Sequence, residues 1–240
     1  MPASLPDDGG DPLTIETGLS RPLERLQAMT QAIIPDGAVA VCRDVNGDVS
    51  RLFVEERAAI ERAVARRQAE FSARRAAARA ALQQLGRPPV AIPVGPGRAP
   101  LWPAGITGSI SHCRSAVIAV ASAFNVQVGH FGIDVEEAGT LERELWEAIC
   151  TPNEISELVG LTDAGRWAKV IFSIKEAVYK AQYPVTERLL DFQQVEISSI
   201  DPSGRFTAQI LVGKLKSVSG RCQTSNEFIL AFAAAQRPRR

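Results

Sequence analysis

The 240-residue chain is 45% hydrophobic and 22% charged, with 27 Lys and Arg balanced by 27 Asp and Glu. That composition excludes a disordered or collagen-like chain, and the length suits one large domain or two closely packed lobes. The longest apolar stretches, residues 116–126 and 228–235, fall short of the roughly 20 residues a membrane helix needs, so no membrane partner is expected.

Residues 1–11 are acidic and rich in Pro and Gly, without the basic flank or apolar run of a secretory signal, and a cytoplasmic location is expected. A helix pattern over 19–34 leads through the turn tripeptide Pro35-Asp36-Gly37 into a short strand at 39–42. Residues 55–85 are rich in Ala, Arg, Glu and Gln and contain no Gly or Pro, which predicts one long helix. Gly86 closes it as a C-cap, and six prolines within 87–103 predict a rigid connection without regular structure. The segment 105–112 is rich in Gly and hydroxyls and reads as a loop ahead of a strand. Strands at 116–124 and 131–136 flank an Asn-containing turn, with a domain boundary near Gly129.

The second half begins with a helix at 141–150. Thr151-Pro152-Asn153-Glu154 then forms a capping box with proline at the first helical position, launching a short helix to Val159. A longer helix from 164 runs to Tyr183, where Pro184 stops it. Strands at 195–200 and 206–212 flank the turn Asp201-Pro202-Ser203-Gly204, and 228–233 completes a sheet. Helices with a few antiparallel strands in each half give an α+β class, divided at 1–128 and 129–240. The tail Arg237-Pro238-Arg239-Arg240 is basic.

Cys42, Cys113, Cys150 and Cys222 lack any Cys-x-x-Cys spacing, and His112 and His130 are the only histidines, so a structural zinc site has almost no ligands. Charge is unevenly placed. Residues 51–100 hold ten Arg against four Glu, while 131–160 hold eight acids and only Arg143. A basic and an acidic half suggest a polyphosphate and a metal cation meeting between them; two solvated helix faces are the alternative.

Several groups of residues bear on chemistry. Strand periodicity sends Asp134 and Glu136 to one face, making a hard-cation site or a pair of solvent-facing acids on an edge strand. Phe172, Glu176 and Lys180 are spaced by four and share a helix face, able to offer a carboxylate and an ammonium or simply to stabilise the helix. In 105–112 the hydroxyls and backbone amides suit phosphate, and a phosphate beside His112 favours its protonated form. Arg74, Arg75 and Arg79 crowd one helix and suit a phosphate monoester, or form its wet face. Little aromatic residue is interleaved with the basic residues, which argues against nucleic acid.

Taken in order, these pieces resemble the 4′-phosphopantetheinyl transferase superfamily, in its double-length class with the enterobactin-synthetase branch. The resemblance runs from about Leu52 to Ile197 through Glu70-Phe71 with Arg75 and Arg79, Trp102-Pro103, Gly108-Ser109, Ser111-His112, Gly132-Ile133-Asp134-Val135-Glu136, and Phe172 with Lys175-Glu176 and Lys180. It implies two similar α+β lobes related by a pseudo-twofold axis, the first on the nucleotide side and the second on the metal and catalytic side. Coenzyme A and magnesium would lie between them.

The resemblance further assigns Asp134, Glu136 and Glu176 to the metal, with Lys175, Lys180, Ser111 and His112 at the coenzyme A phosphates. Arg75 and Arg79 would hold the 3′-phosphoadenosine end. Arg74 stands where Gly is frequent and Ala77 where Cys is frequent, positions expected to carry no chemistry. The implied reaction is attack by a serine of an apo acyl or peptidyl carrier protein on the β-phosphate, with 3′,5′-ADP leaving. Asp134, Lys180 and Glu176 would serve catalysis, Glu176 as general base, in a monomer. A magnesium-dependent hydrolase of coenzyme A, or a non-catalytic coenzyme A-binding protein, would share much of this site.

Overall fold

The computed structural model describes residues 19–124 and 129–235. The acidic residues 1–11, the Asn-containing turn before Gly129 and the basic tail lie outside the described residues. Among the described residues, no helix is long and apolar enough to cross a membrane.

Two antiparallel sheets organise the chain. The first has three strands in the order β1-β3-β2, formed by Val39–Arg43, Val117–Ala123 and Ile106–His112. The second has five in the order β4-β8-β7-β6-β5: β4 is His130–Glu137, β5 Val195–Ile200, β6 Arg205–Ile210, β7 Ser217–Thr224 and β8 Phe228–Ala235. The α+β class is therefore present, with sheets of unequal size.

Strand periodicity distributes the core. On β3, Val117 and Ala119 face helix α3 (Ala65–Gln84), while Ile118 and Val120 face the opposite way. On β8, Ile229, Ala231 and Ala233 pack under helix α6 (Ala164–Thr186), whereas Phe228, Leu230 and Phe232 join Ile118 and Val120. Helix α1 (Arg21–Ile33) adds Leu23, Leu26 and Ile33 to that middle cluster. One apolar layer is thus shared by both sheets, and neither sheet keeps a complete core without it.

Several elements differ from expectation. The long helix over 55–85 is broken into α2 (Val54–Arg57), a turn, and α3. Glu56 is fully buried at the end of α2, accepting bonds from Arg79 and from the Ile92 amide at 2.9 Å. The Gln68 side-chain amide closes the turn by donating to the carbonyls of Ile60 at 3.3 Å and Ala63 at 2.9 Å. These tertiary partners override helix propensity. Gly86 does end α3, at φ +70°, and the Arg87 amide bonds back to the Leu82 carbonyl at 2.9 Å.

The segment read as a loop at 105–112 is strand β2 from Ile106 on, and β7, with Val218 and Cys222 buried between exposed polar residues, is a strand the sequence reading does not include. The expected helix 141–150 is a 3-10 turn at Arg143–Leu145 followed by the single turn α4 (Trp146–Ile149). There the Trp146 indole donates to the Leu141 carbonyl at 3.0 Å and fixes a tighter path. The Thr151 capping box opens α5 (Pro152–Leu158) as expected. Pro184 does not stop α6, because in the last turn it forgoes only one helical N–H, and the helix ends at Glu187 with φ +55°.

One close approach positions the site. A Cβ on Gly132 would lie 2.0 Å from the Ala177 carbonyl and 2.8 Å from the Lys180 Cβ, so glycine lets α6 settle directly on β4. Gly132→Ala should force the two apart and lower stability by about 1–3 kcal/mol, the usual range for overpacking. Urea unfolding checks this: an unchanged midpoint would show that the contact is not held.

Candidate active site

The site begins at the seam between the sheets. β2 and β4 are edge strands, and serine hydroxyls replace the ladder bonds they lack. Ser109 Oγ accepts from the Ile133 amide at 3.0 Å and Ser111 Oγ from the Val135 amide at 3.4 Å. The hydroxyl-rich sequence of β2 thereby satisfies backbone donors on the facing edge.

Asp134 lies in this seam, 3% exposed, held from both sides. Ser111 Oγ donates to its Oδ1 at 2.8 Å and Ser173 Oγ, from α6, to its Oδ2 at 3.0 Å. Lys180 Nζ reaches Oδ1 at 2.7 Å and also donates to Ser111 Oγ at 3.0 Å and the Ile133 carbonyl at 3.2 Å. Helical spacing presents Phe172, Glu176 and Lys180 on one face of α6, with Tyr179 and Tyr183 beside them.

That face forms one wall of a cleft of about 680 Å³, whose liners include Asp134, Glu136 and Glu176. Trp102, Ser111, His112, Arg74 and Arg98 line it from the first half of the chain. Crowding shows in the acids. Burial, reinforced by Asp134, pushes Glu136 up to about 7, despite Lys169 at 3.8 Å. Burial also pushes Glu176 up, with Lys180 opposing and Asp134 adding. Acids at rising proton affinity around one cavity are a donor set suited to a small hard cation. As they stand, no three His, Cys, Asp or Glu side chains among the described residues form a metal-ligand group.

Beside the cleft lies a smaller cavity of about 160 Å³, lined by Arg67, Arg74, Arg75 and Arg98 together with Phe71 and Ile110. Arg74 and Arg98 line both spaces. The Arg74 and Arg75 Nε atoms are buried without a hydrogen-bond partner among the described residues. Burial, then the Arg74 charge, brings Arg75 down to about 10. Arg98 reaches its place through a left-handed backbone, φ +64°, next to Gly97 at φ +61°. Four guanidiniums around one small cavity make a site for an anion rich in oxygen acceptors.

Two family models match the chain. Residues 55–122 match the 4′-phosphopantetheinyl transferase N-terminal domain, and residues 130–233 match the 4′-phosphopantetheinyl transferase superfamily. Among curated relatives, 4′-phosphopantetheinyl transferase Svp of Streptomyces mobaraensis is 40% identical over 195 residues, covering 77% of each chain. The chain belongs to the 4′-phosphopantetheinyl transferase superfamily. The transferase PptT of Mycobacterium tuberculosis is 39% identical over 166 residues, 66% of this chain and 71% of the relative. Enterobactin synthase component D of Escherichia coli K12 is 36% identical over 146 residues, 59% of this chain and 68% of the relative.

The transferase places most of the expected residues together: Asp134, Glu136, Glu176, Lys180, Ser111 and His112 all line the cleft, and Arg75 lines the adjoining cavity. Two are elsewhere. Lys175 is 1% exposed on the far side of α6, its Nζ bonded to Glu154 Oε2 at 2.7 Å and to the carbonyls of Ile149 at 2.8 Å and Phe192 at 3.1 Å. Three acceptors occupy its ammonium, and it lines neither space. Arg79 is likewise committed, its NH1 between the two Glu56 oxygens at 2.9 and 2.8 Å. Both are engaged in buried internal pairs, away from the two spaces.

Arg74, which helix position groups with Arg75 as a phosphate candidate but to which the resemblance gives no chemistry, lines both spaces, and Arg67, Arg98, Tyr179 and Tyr183 are liners that the sequence reading does not name as candidates. Helix periodicity could have found the tyrosines, seven and eleven residues after Phe172. Arg98, inside a proline-rich connection, gave no local signal.

His112 is held down to about 4, first by burial and then by the Arg74 charge, against 6.5 for the free group. The folded chain therefore binds fewer protons in that window, and the associated stability, full above pH 6.5, drains as the pH falls toward 4. Thermal melts of His112→Gln should show the wild type losing stability relative to the variant across that range; parallel profiles would refute the assignment.

The internal pairs make a separate prediction. Arg79→Ala or Glu56→Ala leaves a buried charge unpaired and should cost roughly 3–5 kcal/mol in urea unfolding. Arg75→Ala, which breaks a contact with the Phe71 ring at 4.3 Å but no hydrogen-bonded ion pair, should cost less, about 1 kcal/mol. Equal losses at Arg75 and Arg79 would contradict this division.

Proposed function

We propose that this enzyme transfers the 4′-phosphopantetheine group of coenzyme A to a serine of an apo acyl or peptidyl carrier protein, with magnesium, releasing 3′,5′-ADP. The observation that carries the reading is the crowded acidic wall of the cleft adjoining a cavity of four arginines, two of them with buried Nε atoms lacking a hydrogen-bond partner among the described residues, one feature fitting a cation and the other a phosphate. Asp134, Glu136 and Glu176 would hold the magnesium, which when bound offsets negative charge on the phosphate oxygens.

Lys180 and His112 would contact the diphosphate, beside Ser111. Arg75, with Arg67, Arg74 and Arg98, would hold the 3′-phosphate. The serine oxygen forms its bond to the β-phosphorus as the bond to 3′,5′-ADP breaks. Glu176 would accept the serine proton. We read the chain as a cytoplasmic monomer with a nucleotide-side lobe at 1–128 and a catalytic lobe at 129–240, related by a pseudo-twofold axis.

Asp134→Ala and Glu176→Ala should each lower transfer to an apo carrier by about 10²–10³-fold while the protein still melts cooperatively. Full transfer by both variants would remove the site. Coenzyme A breakdown without any carrier would instead identify a hydrolase. Arg75→Ala should raise KM for coenzyme A by roughly ten- to hundredfold with kcat largely kept, and should reduce the preference over dephospho-coenzyme A.

A further inference from the structure

The ammonium of Lys180 occupies a complete cation site. Its three N–H groups meet three acceptors: Asp134 Oδ1 at 2.7 Å, Ser111 Oγ at 3.0 Å and the Ile133 carbonyl at 3.2 Å. An ammonium has three donors and no more, so nothing is left over for a ligand while this arrangement holds. Asp134 is engaged through both oxygens, with three of its roughly four acceptor sites taken. Its Oδ1 takes Lys180 and Ser111, its Oδ2 takes Ser173, and the carboxylate is 3% exposed.

A divalent cation arriving alone would meet an acid already neutralised by the chain's own charge. Displacing the ammonium would leave Lys180, which is 24% exposed, without its partner. A diphosphate entering the same cleft changes the balance, because it gives the ammonium another anion to pair with and exposes Asp134.

Resting on the magnesium reading above, we propose that Lys180 is a placeholder cation on Asp134 that makes metal binding conditional on coenzyme A. The lysine then positions the acid in the free enzyme and yields it only when a diphosphate is present. Neither metal nor coenzyme A alone should bring the site to its working charge. By linkage the coupling is reciprocal, so the metal tightens coenzyme A by the same factor that coenzyme A tightens the metal. Removing the ammonium uncovers Asp134 and should strengthen metal binding by the empty enzyme while weakening that coupling.

The probe is Mn²⁺, titrated by calorimetry and followed by electron paramagnetic resonance of the free ion, into the full chain with and without coenzyme A. Wild type should bind Mn²⁺ weakly alone and at least about tenfold more tightly with coenzyme A, a difference of about 1.4 kcal/mol. Lys180→Met and Lys180→Gln should bind Mn²⁺ at least about tenfold more tightly than wild type without coenzyme A, with the coenzyme A effect reduced. Adding Asp134→Asn to either should erase the gain.

Glutamine keeps a polar tip against Asp134 and Ser111, so it serves if the methionine variant does not fold. The wild-type coupling can be read without any variant, and its absence alongside normal ternary metal binding overturns the proposal. So does unchanged metal affinity in a folded lysine variant. If wild type takes up no Mn²⁺ even with coenzyme A, the magnesium reading itself fails, a result distinct from the other two.

Discussion

Everything at the candidate active site depends on how closely α6 lies against β4. Gly132 removes the side chain that would stand between them, since a Cβ there would fall 2.0 Å from the Ala177 carbonyl. Only at that separation can Ser173 and Lys180, from the helix, reach the same carboxylate on the strand. The face of α6 that carries Lys180 also carries Glu176, so one helix–strand contact sets the placement of the acids and the ammonium together. The opposite side of the helix is fixed by Lys175, whose buried pair with Glu154 ties α6 to the capping box of α5 and, through Glu154 Oε1, to the Ile197 amide at 2.8 Å.

Charges in this molecule fall into two kinds, distinguished by how fully the chain itself satisfies them. Glu56 with Arg79 and Glu154 with Lys175 are buried pairs with every strong acceptor engaged, and they brace the two halves of the chain in similar fashion. Lys175 spends all three of its donors inside the fold, and the Arg79 NH1 group lies between both oxygens of Glu56. The arginines of the small cavity and two acids of the cleft are the other kind: among the described residues Arg74 and Arg75 keep buried Nε atoms without hydrogen-bond partners, and burial raises the proton affinity of Glu136, despite Lys169 at 3.8 Å, and of Glu176. Such unmet electrostatic demand is unfavourable in the empty protein and is relieved by ligands of opposite charge. The family membership fits that division. A transferase of a phosphorylated group needs both kinds of unmet charge within one connected space.

Much of this was legible in the sequence. The acid-x-acid run Asp134 and Glu136, the Glu176 and Lys180 spacing, and Ser111-His112 all occur locally, and period two or period 3.6 places each group on a face. The α+β class followed from the same periodicities, and the Thr151 capping box was readable because a cap is a contact within four residues. The imbalance between residues 51–100 and 131–160 pointed to opposed ligands, since charge is carried by the sequence whatever the fold. The family followed from the order of these motifs.

Tertiary structure decided what those local patterns share with competing ones. An Arg on an Ala-rich helix has the same sequence signal whether it faces a cavity, as Arg75 does, or a buried Glu56, as Arg79 does; the partner is 23 residues away. Lys175 and Lys180 are equally cationic, and only the side of α6 that meets β4 separates the internal brace from the site. The break between α2 and α3 is invisible to propensity because it is made by Glu56 and Gln68, not by glycine or proline. The polar strand β2 reads as a loop until its serines find the edge amides of β4. The sequence determined which groups carry charge and which face of an element each occupies, because those follow from composition and backbone period. Which charges are paired and which stay open was decided only by packing, since a partner far along the chain leaves no local trace.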